Sequence, residues 1–372
     1  MSNPIGRETI ETMPDEWQLS LVTEESTAQT PTDQTVGVSN LYNRICELES
    51  GSRINDAFVT LGDESIPNGY LQRFGFTTEL GYSYDAIIGI PVINQRTDIP
   101  ILQTSAWFTS SHGHNEHTLR SFVAEGVPYI FVGPEGSFRT KSKQKPEEAI
   151  TLASSAAAVL SFSRYIAEGE ERFIDKHKRT LIGESRGAMV GMGILAMDAM
   201  FDQDVIFADL TAPCFPRGFE AKDILKLSGH LISEPTSLLK LAGRIGLSRL
   251  VHYPSTIDPH PKGLASQIAI GPALFSGEAG DLARLINYDK IIHITCFNDD
   301  FASMPDEWDK IFKEFPNVRI TPLDGSHLTI ADPETLNYIH ARNRSLHFDI
   351  CVNGTDNLNG QHIFNRAHKL LT

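Results

Sequence analysis

Thr180-Leu181-Ile182-Gly183-Glu184-Ser185-Arg186-Gly187-Ala188-Met189-Val190-Gly191 is the stretch on which the fold turns. A short apolar strand runs directly into a Gly-x-Ser-x-Gly turn, and the turn runs directly into a helix over Ala188–Met200. That setting lifts a serine into a sharp, strained turn with its hydroxyl exposed. Gly183 and Gly187 leave space where side chains would collide with the neighbouring strand and helix. Gly187, Ala188, Gly191 and Gly193 let the helix lie close to a sheet. In a chain with 28 glycines the bare pattern arises easily by chance, and an ordinary tight turn leaves the same trace. The flanking strand and helix give it weight.

On either side the same rhythm recurs. Ile101–Thr104, Tyr129–Val132 and Val205–Leu210 are short apolar runs that read as buried strands. Helical stretches near Glu116–Glu125 and over Glu147–Gly169 separate the earlier runs. After residue 287 the rhythm resumes with Lys290–Thr295 as strand, Pro305–Phe315 as helix, Val318–Thr321 as strand and Asp332–His340 as a final amphipathic helix. Buried strands alternating with helices predict a mostly parallel sheet covered on both faces. Phe58–Asn94 instead alternates β-branched or aromatic residues with turn residues, as antiparallel strands do. Leu41–Ser50 reads as a short helix with Asn40 placed to cap it.

Residues 219–287 interrupt the pattern with helices (Phe219–Ile232, Pro235–Leu247) and a Pro/His-rich loop (His252–Gly263). The expected organisation is a mobile, Ser/Thr/Gln/Glu-rich arm over 1–40, a core of 41–218 and 288–372, and a helical cap inserted at 219–287.

Composition narrows the class. The chain has 372 residues, 41% of them hydrophobic, enough for a packed core. A formal charge of −15 argues against nucleic acid as a partner, since phosphate binding needs clustered Lys and Arg. No apolar run approaches the roughly 18–20 residues of a membrane span. The first residues have neither the basic start nor the apolar core of a signal peptide. Cys46, Cys214, Cys296 and Cys351 lie far apart, unlike a zinc ribbon or a disulfide framework. The expectation is a cytoplasmic protein acting on a small molecule, with no cofactor.

A serine hydroxyl is a poor nucleophile until a base takes its proton, and that base needs orienting. The strand Lys290–Thr295 runs into Cys296-Phe297-Asn298-Asp299-Asp300-Phe301-Ala302-Ser303, and Val318–Thr321 leads into Asp324-Gly325-Ser326-His327. A carboxylate and a histidine thus follow two strand ends, in the order Ser, Asp, His. In this order, spacing and setting the chain resembles the α/β-hydrolase family. The resemblance covers about residues 76–345 and implies an α/β-hydrolase sheet with the cap inserted after the sixth strand. It makes Ser185 the nucleophile, His327 the general base and Asp299 the acid, with Asp300 as runner-up. Phe301, Ala302 and Ser303 follow the family pattern, and Cys296 replaces its usual glycine.

The same resemblance puts the oxyanion on two backbone N–H groups, those of Arg186 and Trp107. Thr104-Ser105-Ala106-Trp107 stands where the family typically has His-Gly-x, a departure that leaves Trp107 open to an ordinary core role. Val132-Gly133-Pro134-Glu135-Gly136-Ser137 looks like the family's Pro-x-x-Gly-x-Ser turn. The expected activity is hydrolysis of a carboxylic ester or thioester through an acyl-enzyme. Two rivals come from other classes. His112, His114 and His117 have the spacing of a zinc motif, with Glu116 where that motif has Asp, and would suit a metal-dependent hydrolase. The other rival is a binding protein that keeps the fold without the chemistry.

Overall fold

The computed structural model describes residues 41, 43–48, 59–79, 81–104, 106, 114–136, 150–201, 204–218, 271–286, 290–298, 302–303, 305–325 and 333–353. Nine strands form one sheet: β1 (Val59–Ile66), β2 (Gly69–Thr77), β3 (Ser83–Pro91), β4 (Ile101–Thr104), β5 (Tyr129–Val132), β6 (Arg179–Glu184), β7 (Val205–Thr211), β8 (Ile291–Phe297) and β9 (Val318–Leu323). Their spatial order is β1-β2-β3-β5-β4-β6-β7-β8-β9. β1, β2 and β3 pair antiparallel, β3 meets β5 antiparallel, and every later pairing is parallel. β4, β6 and β8 are buried along their whole length, which is why they show no alternation of apolar and exposed polar positions.

Residue 41 and residues 43–48 are helical, within the expected helix Leu41–Ser50, and the helices that follow among the described residues are α1 (His114–Ala124), α2 (Leu152–Gly169), α3 (Arg186–Phe201), α4 (Gly271–Phe275), α5 (Glu278–Ala283), α6 (Pro305–Phe312) and α7 (Pro333–Asn353). α2, α3 and α5 cover one face. α3 is apolar nearly all round because it lies between the sheet and α2. A Cβ at Gly191 would come within 2.6 Å of the Leu210 side chain, and one at Gly193 within 2.8 Å of Ala156 Cβ. Small residues therefore set how closely α3 approaches both layers.

α1 and α7 cover the other face. Leu119, Phe122 and Val123 of α1 pack on Ile101, Tyr129 and Ile182, while Leu346 and Ile350 of α7 pack on Phe207 and Ile291.

Four sequence expectations need correction. The second helix begins at Leu152, not Glu147. Thr151 caps it, its hydroxyl accepting from Ser154 N while Ser154 Oγ accepts from Thr151 N. Pro305 begins a helix that ends at Phe312 rather than Phe315. The final helix does not stop near His340. It continues to Asn353, because Arg342 and His347, which look like surface residues in sequence, are buried. Residues 219–287, expected to follow the sixth strand, follow the seventh, β7, and Ser185 follows β6.

Residues 1–40 and 219–270 lie outside the described residues. Residues 271–286, at the end of the stretch expected as a cap, are described and contact the helices beside the sheet. Leu282 of α5 lies near Gly193 of α3, and the Glu278 carboxylate accepts from Leu152 N and Ala153 N, at 2.9 and 3.0 Å, at the start of α2.

Beneath α7 lies a buried charged cluster. Arg342 Nη2 is 3.2 Å from Asp209 Oδ1, and His293 Nδ1 approaches the same oxygen at 3.3 Å. His293 Nε2 meets Thr321 Oγ1 at 2.8 Å, and His347 packs edge-on against Phe207. Burial alone would push Asp209 up, but the Arg342 guanidinium and His293 hold it at about 2. Burial lowers His347 to about 4 against the pull of Asp209.

An unfolded histidine takes its proton near 6.5, the folded one only near 4. Acid within that window therefore favours the unfolded chain by up to about 3 kcal/mol through this residue alone. The contribution of Asp209 is lost lower, between its unfolded value near 4 and about 2. We expect His347→Leu to flatten the loss of stability between pH 6.5 and 4 in urea titrations. An unchanged slope would mean that His347 titrates normally in the folded state.

Candidate active site

β6 delivers Ser185 to the carboxyl edge of the sheet. The Ser185 N–H donates to Thr211 O at 2.7 Å, at the end of neighbouring β7. Its carbonyl then accepts from Ala188 N and Met189 N, at 3.0 and 3.2 Å, and so starts α3. Between these bonds the backbone has to reverse within one residue, and Ser185 takes φ 53°, in the left-handed region. For an L-residue that conformation costs about 1–2 kcal/mol.

Gly183 is required by contact rather than by backbone angle. A Cβ there would lie 2.6 Å from Gly187 O and 2.8 Å from Ala188 Cα. Gly187 O is itself held by the Thr104 hydroxyl at 2.7 Å, from the end of β4. The turn is thus fastened to the strand on each side, by β7 through its backbone and by β4 through a side chain.

The carboxyl ends of the later strands are linked in the same way. Ala212 N donates to Thr295 O at 2.7 Å, and Asn298 N to Leu323 O at 2.8 Å. The loop after β7 bends through left-handed Ala212 and Phe215. It is tied to the loop after β8 by Phe215 N donating to Ala302 O at 2.8 Å, and to α6 by Trp308 Nε1 donating to Pro213 O at 3.0 Å.

Of the residues expected at the site, Gly183, Ser185, Arg186 and Gly187 come together at this turn. Arg186 is the first residue of α3, where a helix leaves backbone N–H groups without an internal partner. Asp299, Asp300, His327 and Trp107 lie outside the described residues. Asp299 and Asp300 directly follow Asn298 in the sequence, and His327 stands two positions after Gly325. His112 also lies outside the described residues. His114 and His117 fall in the first turn of α1, with their side chains undescribed. Among the described residues no group of three or more His, Cys, Asp or Glu could hold a metal ion, and no helix is long and apolar enough to cross a membrane. All four cysteines are free.

Directly behind the turn is a polar cluster that sequence reading missed. The Arg186 guanidinium pairs with Glu135, and both side chains are almost fully buried, at 3% and 1% exposure. The Ser155 hydroxyl bonds the same carboxylate, and Tyr84 OH reaches it at 3.4 Å. Burial, with the Glu135 charge beside it, pushes the Tyr84 phenol well above its ordinary value. The four residues come from β3, the loop after β5, α2 and α3, so no spacing along the chain signals them. On the other face, Tyr129 OH donates to Gln103 at 2.8 Å, and burial and the nearby Glu184 charge raise Tyr129 similarly.

No protein-family model and no curated protein sequence matches the chain. Solved structures do. A thermostable carboxyl esterase from Bacillus coagulans, in complex with glycerol, superimposes with a TM-score of 0.50 at 12% identity, covering 77% of this chain and 100% of that one. An acetyl xylan esterase from Paenibacillus sp. R4 gives 0.48 at 12% identity, covering 88% and 99%. Acetyl xylan esterase 1 from Thermoanaerobacterium sp. JW/SL YS485 gives 0.48 at 13%, covering 88% and 98%. At such identities the likeness is one of fold.

Ser185→Gly is expected to be more stable than Ser185→Ala by about 1 kcal/mol, since glycine takes a left-handed φ without strain but loses more chain entropy. Urea unfolding of the two variants measures this. A Ser185→Gly variant less stable than Ser185→Ala, as glycine's extra chain entropy alone would make it, would mean that residue 185 carries no left-handed strain.

Proposed function

We propose that this chain, an α/β hydrolase in fold, is a serine hydrolase that cleaves a carboxylic ester or thioester of a small molecule through an acyl-enzyme on Ser185. The observation that carries the reading is the conformation of Ser185. It is held at φ 53° between β6 and α3, at the edge where the strands carry their carboxyl ends. Strain retained at a serine, in a turn fastened on both sides, fits a group kept for chemistry.

In this reading Ser185 Oγ attacks the substrate carbonyl carbon while His327 takes the hydroxyl proton, and Asp299 holds the imidazole in the tautomer that can accept it. The C–O or C–S bond then breaks, and the leaving alcohol or thiol takes the proton from His327. Water repeats the sequence on the acyl-enzyme, giving a carboxylic acid and free Ser185. The negative charge formed on the carbonyl oxygen in each half is met by the N–H groups of Arg186 and Trp107. Esters come first among substrates because the carboxyl esterase whose fold the chain shares is named for them. The inserted residues, 219–287 as read from sequence, supply the cover over Ser185 in this proposal.

A fluorophosphonate probe followed by an ester panel of graded acyl length tests the reading. Covalent labelling at Ser185 is expected, and Ser185→Ala should abolish it and lower ester turnover at least about 10³-fold. Full activity in Ser185→Ala would overturn the mechanism. Activity lost to a chelator but untouched by the probe would favour a metal site at His112, His114 and His117.

A further inference from the structure

Resting on the reading of Ser185 as nucleophile, the geometry points to Glu135 as a positioning residue for catalysis. Through the Arg186 side chain it fixes the backbone N–H that receives the oxyanion. The peptide joining Ser185 to Arg186 is constrained on its carbonyl side, where Ala188 N and Met189 N bind Ser185 O. The N–H side belongs to the first residue of α3, where a helix gives no internal bond. The group that must meet a developing charge therefore sits on a residue that its own helix holds only from one side.

The Arg186 side chain supplies the other hold. Its guanidinium does not extend into solvent at the sheet edge but turns into the layer between the sheet and α2. There Nη2 pairs with Glu135 Oε2 and lies 3.4 Å from Ser155 Oγ. Glu135 is itself anchored. Its other oxygen, Oε1, accepts from the hydroxyls of Ser155 and Tyr84. Its loop is sewn to β3 by Gly133 N donating to Asp85 O at 2.8 Å and Gly136 N donating to Ser83 O at 2.7 Å. Ser155 stands in the first turn of α2, which is capped by Thr151 and by the Glu278 carboxylate. One carboxylate oxygen thus faces the anchor and the other faces Arg186.

A buried ion pair is a weak source of stability, because removing two charges from water offsets most of their attraction. What it supplies is direction. Donors aimed in advance at the developing charge lower a barrier, and an ångström of misplacement can cost about 10²-fold in rate. Glu135 touches no reacting atom in this scheme, so its effect should fall on turnover rather than on substrate binding.

The test compares wild type, Glu135→Gln and the paired variant Glu135→Leu/Arg186→Met on p-nitrophenyl acetate, with an alkyl trifluoromethyl ketone as a mimic of the tetrahedral adduct. The paired variant replaces both charges by apolar side chains and guards against loss of folding from one unpaired buried charge. In both variants kcat should fall about 10- to 100-fold with KM within about twofold. The ketone Ki should rise by the factor by which kcat/KM falls. A folded variant with wild-type kcat, or one that loses binding and turnover without weakening the ketone in proportion, overturns the positioning role. Failure of the fluorophosphonate to label wild-type Ser185 overturns the nucleophile reading and this inference together. Labelled wild type with unchanged variants overturns this inference alone.

Discussion

The left-handed turn at Ser185 is the constraint around which the structure is arranged. A strand must end and a helix begin within one residue, and the serine between them absorbs the reversal at φ 53°. Nothing local favours that angle in a serine. It persists because β7 takes its N–H, α3 takes its carbonyl, and the Thr104 hydroxyl on β4 holds the carbonyl of Gly187. The close approach of Gly183 to Gly187 and Ala188 follows from the same geometry. The strain is local, and the restraint comes from strands on both sides.

Buried charge is distributed with a similar logic. One cluster, Asp209 with Arg342, His293 and His347, fastens α7 to the sheet face away from α3. The other, Glu135 with Arg186, Ser155 and Tyr84, lies behind the turn itself. Each is reached by side chains from several elements, so each holds together parts of the chain far apart in sequence. The first is expected to make the protein sensitive to acid; the second anchors the side chain of the first residue of α3.

Much of this was legible in the residues. β4, β5, β6 and β7 appear as apolar runs at nearly their true positions, because a strand buried on both faces has no polar side to interrupt it. The antiparallel leading edge was visible as alternation. Misreadings arose where polarity misled. Thr151 and Ser154 look like interior helix residues but form a cap, and Arg342 and His347 look like a helix end but are buried in α7. The cap is satisfied locally, Thr151 and Ser154 bonding each other, whereas the partner that buries Arg342 is Asp209, far away in the chain.

By itself the sequence determined the alternation of strands and helices, the strand-turn-helix setting of Ser185 and the need for glycine two residues before it. These are short-range matters, fixed by periodicity and by which residues tolerate a tight turn. Only the tertiary structure decided that Ser185 is left-handed, that Thr104 and Thr211 hold the turn, and that the Arg186 side chain is anchored on Glu135. Those facts depend on which strands lie side by side. That order, β5-β4-β6-β7, is set by the packing of helices on both faces of the sheet and by no local pattern in the chain.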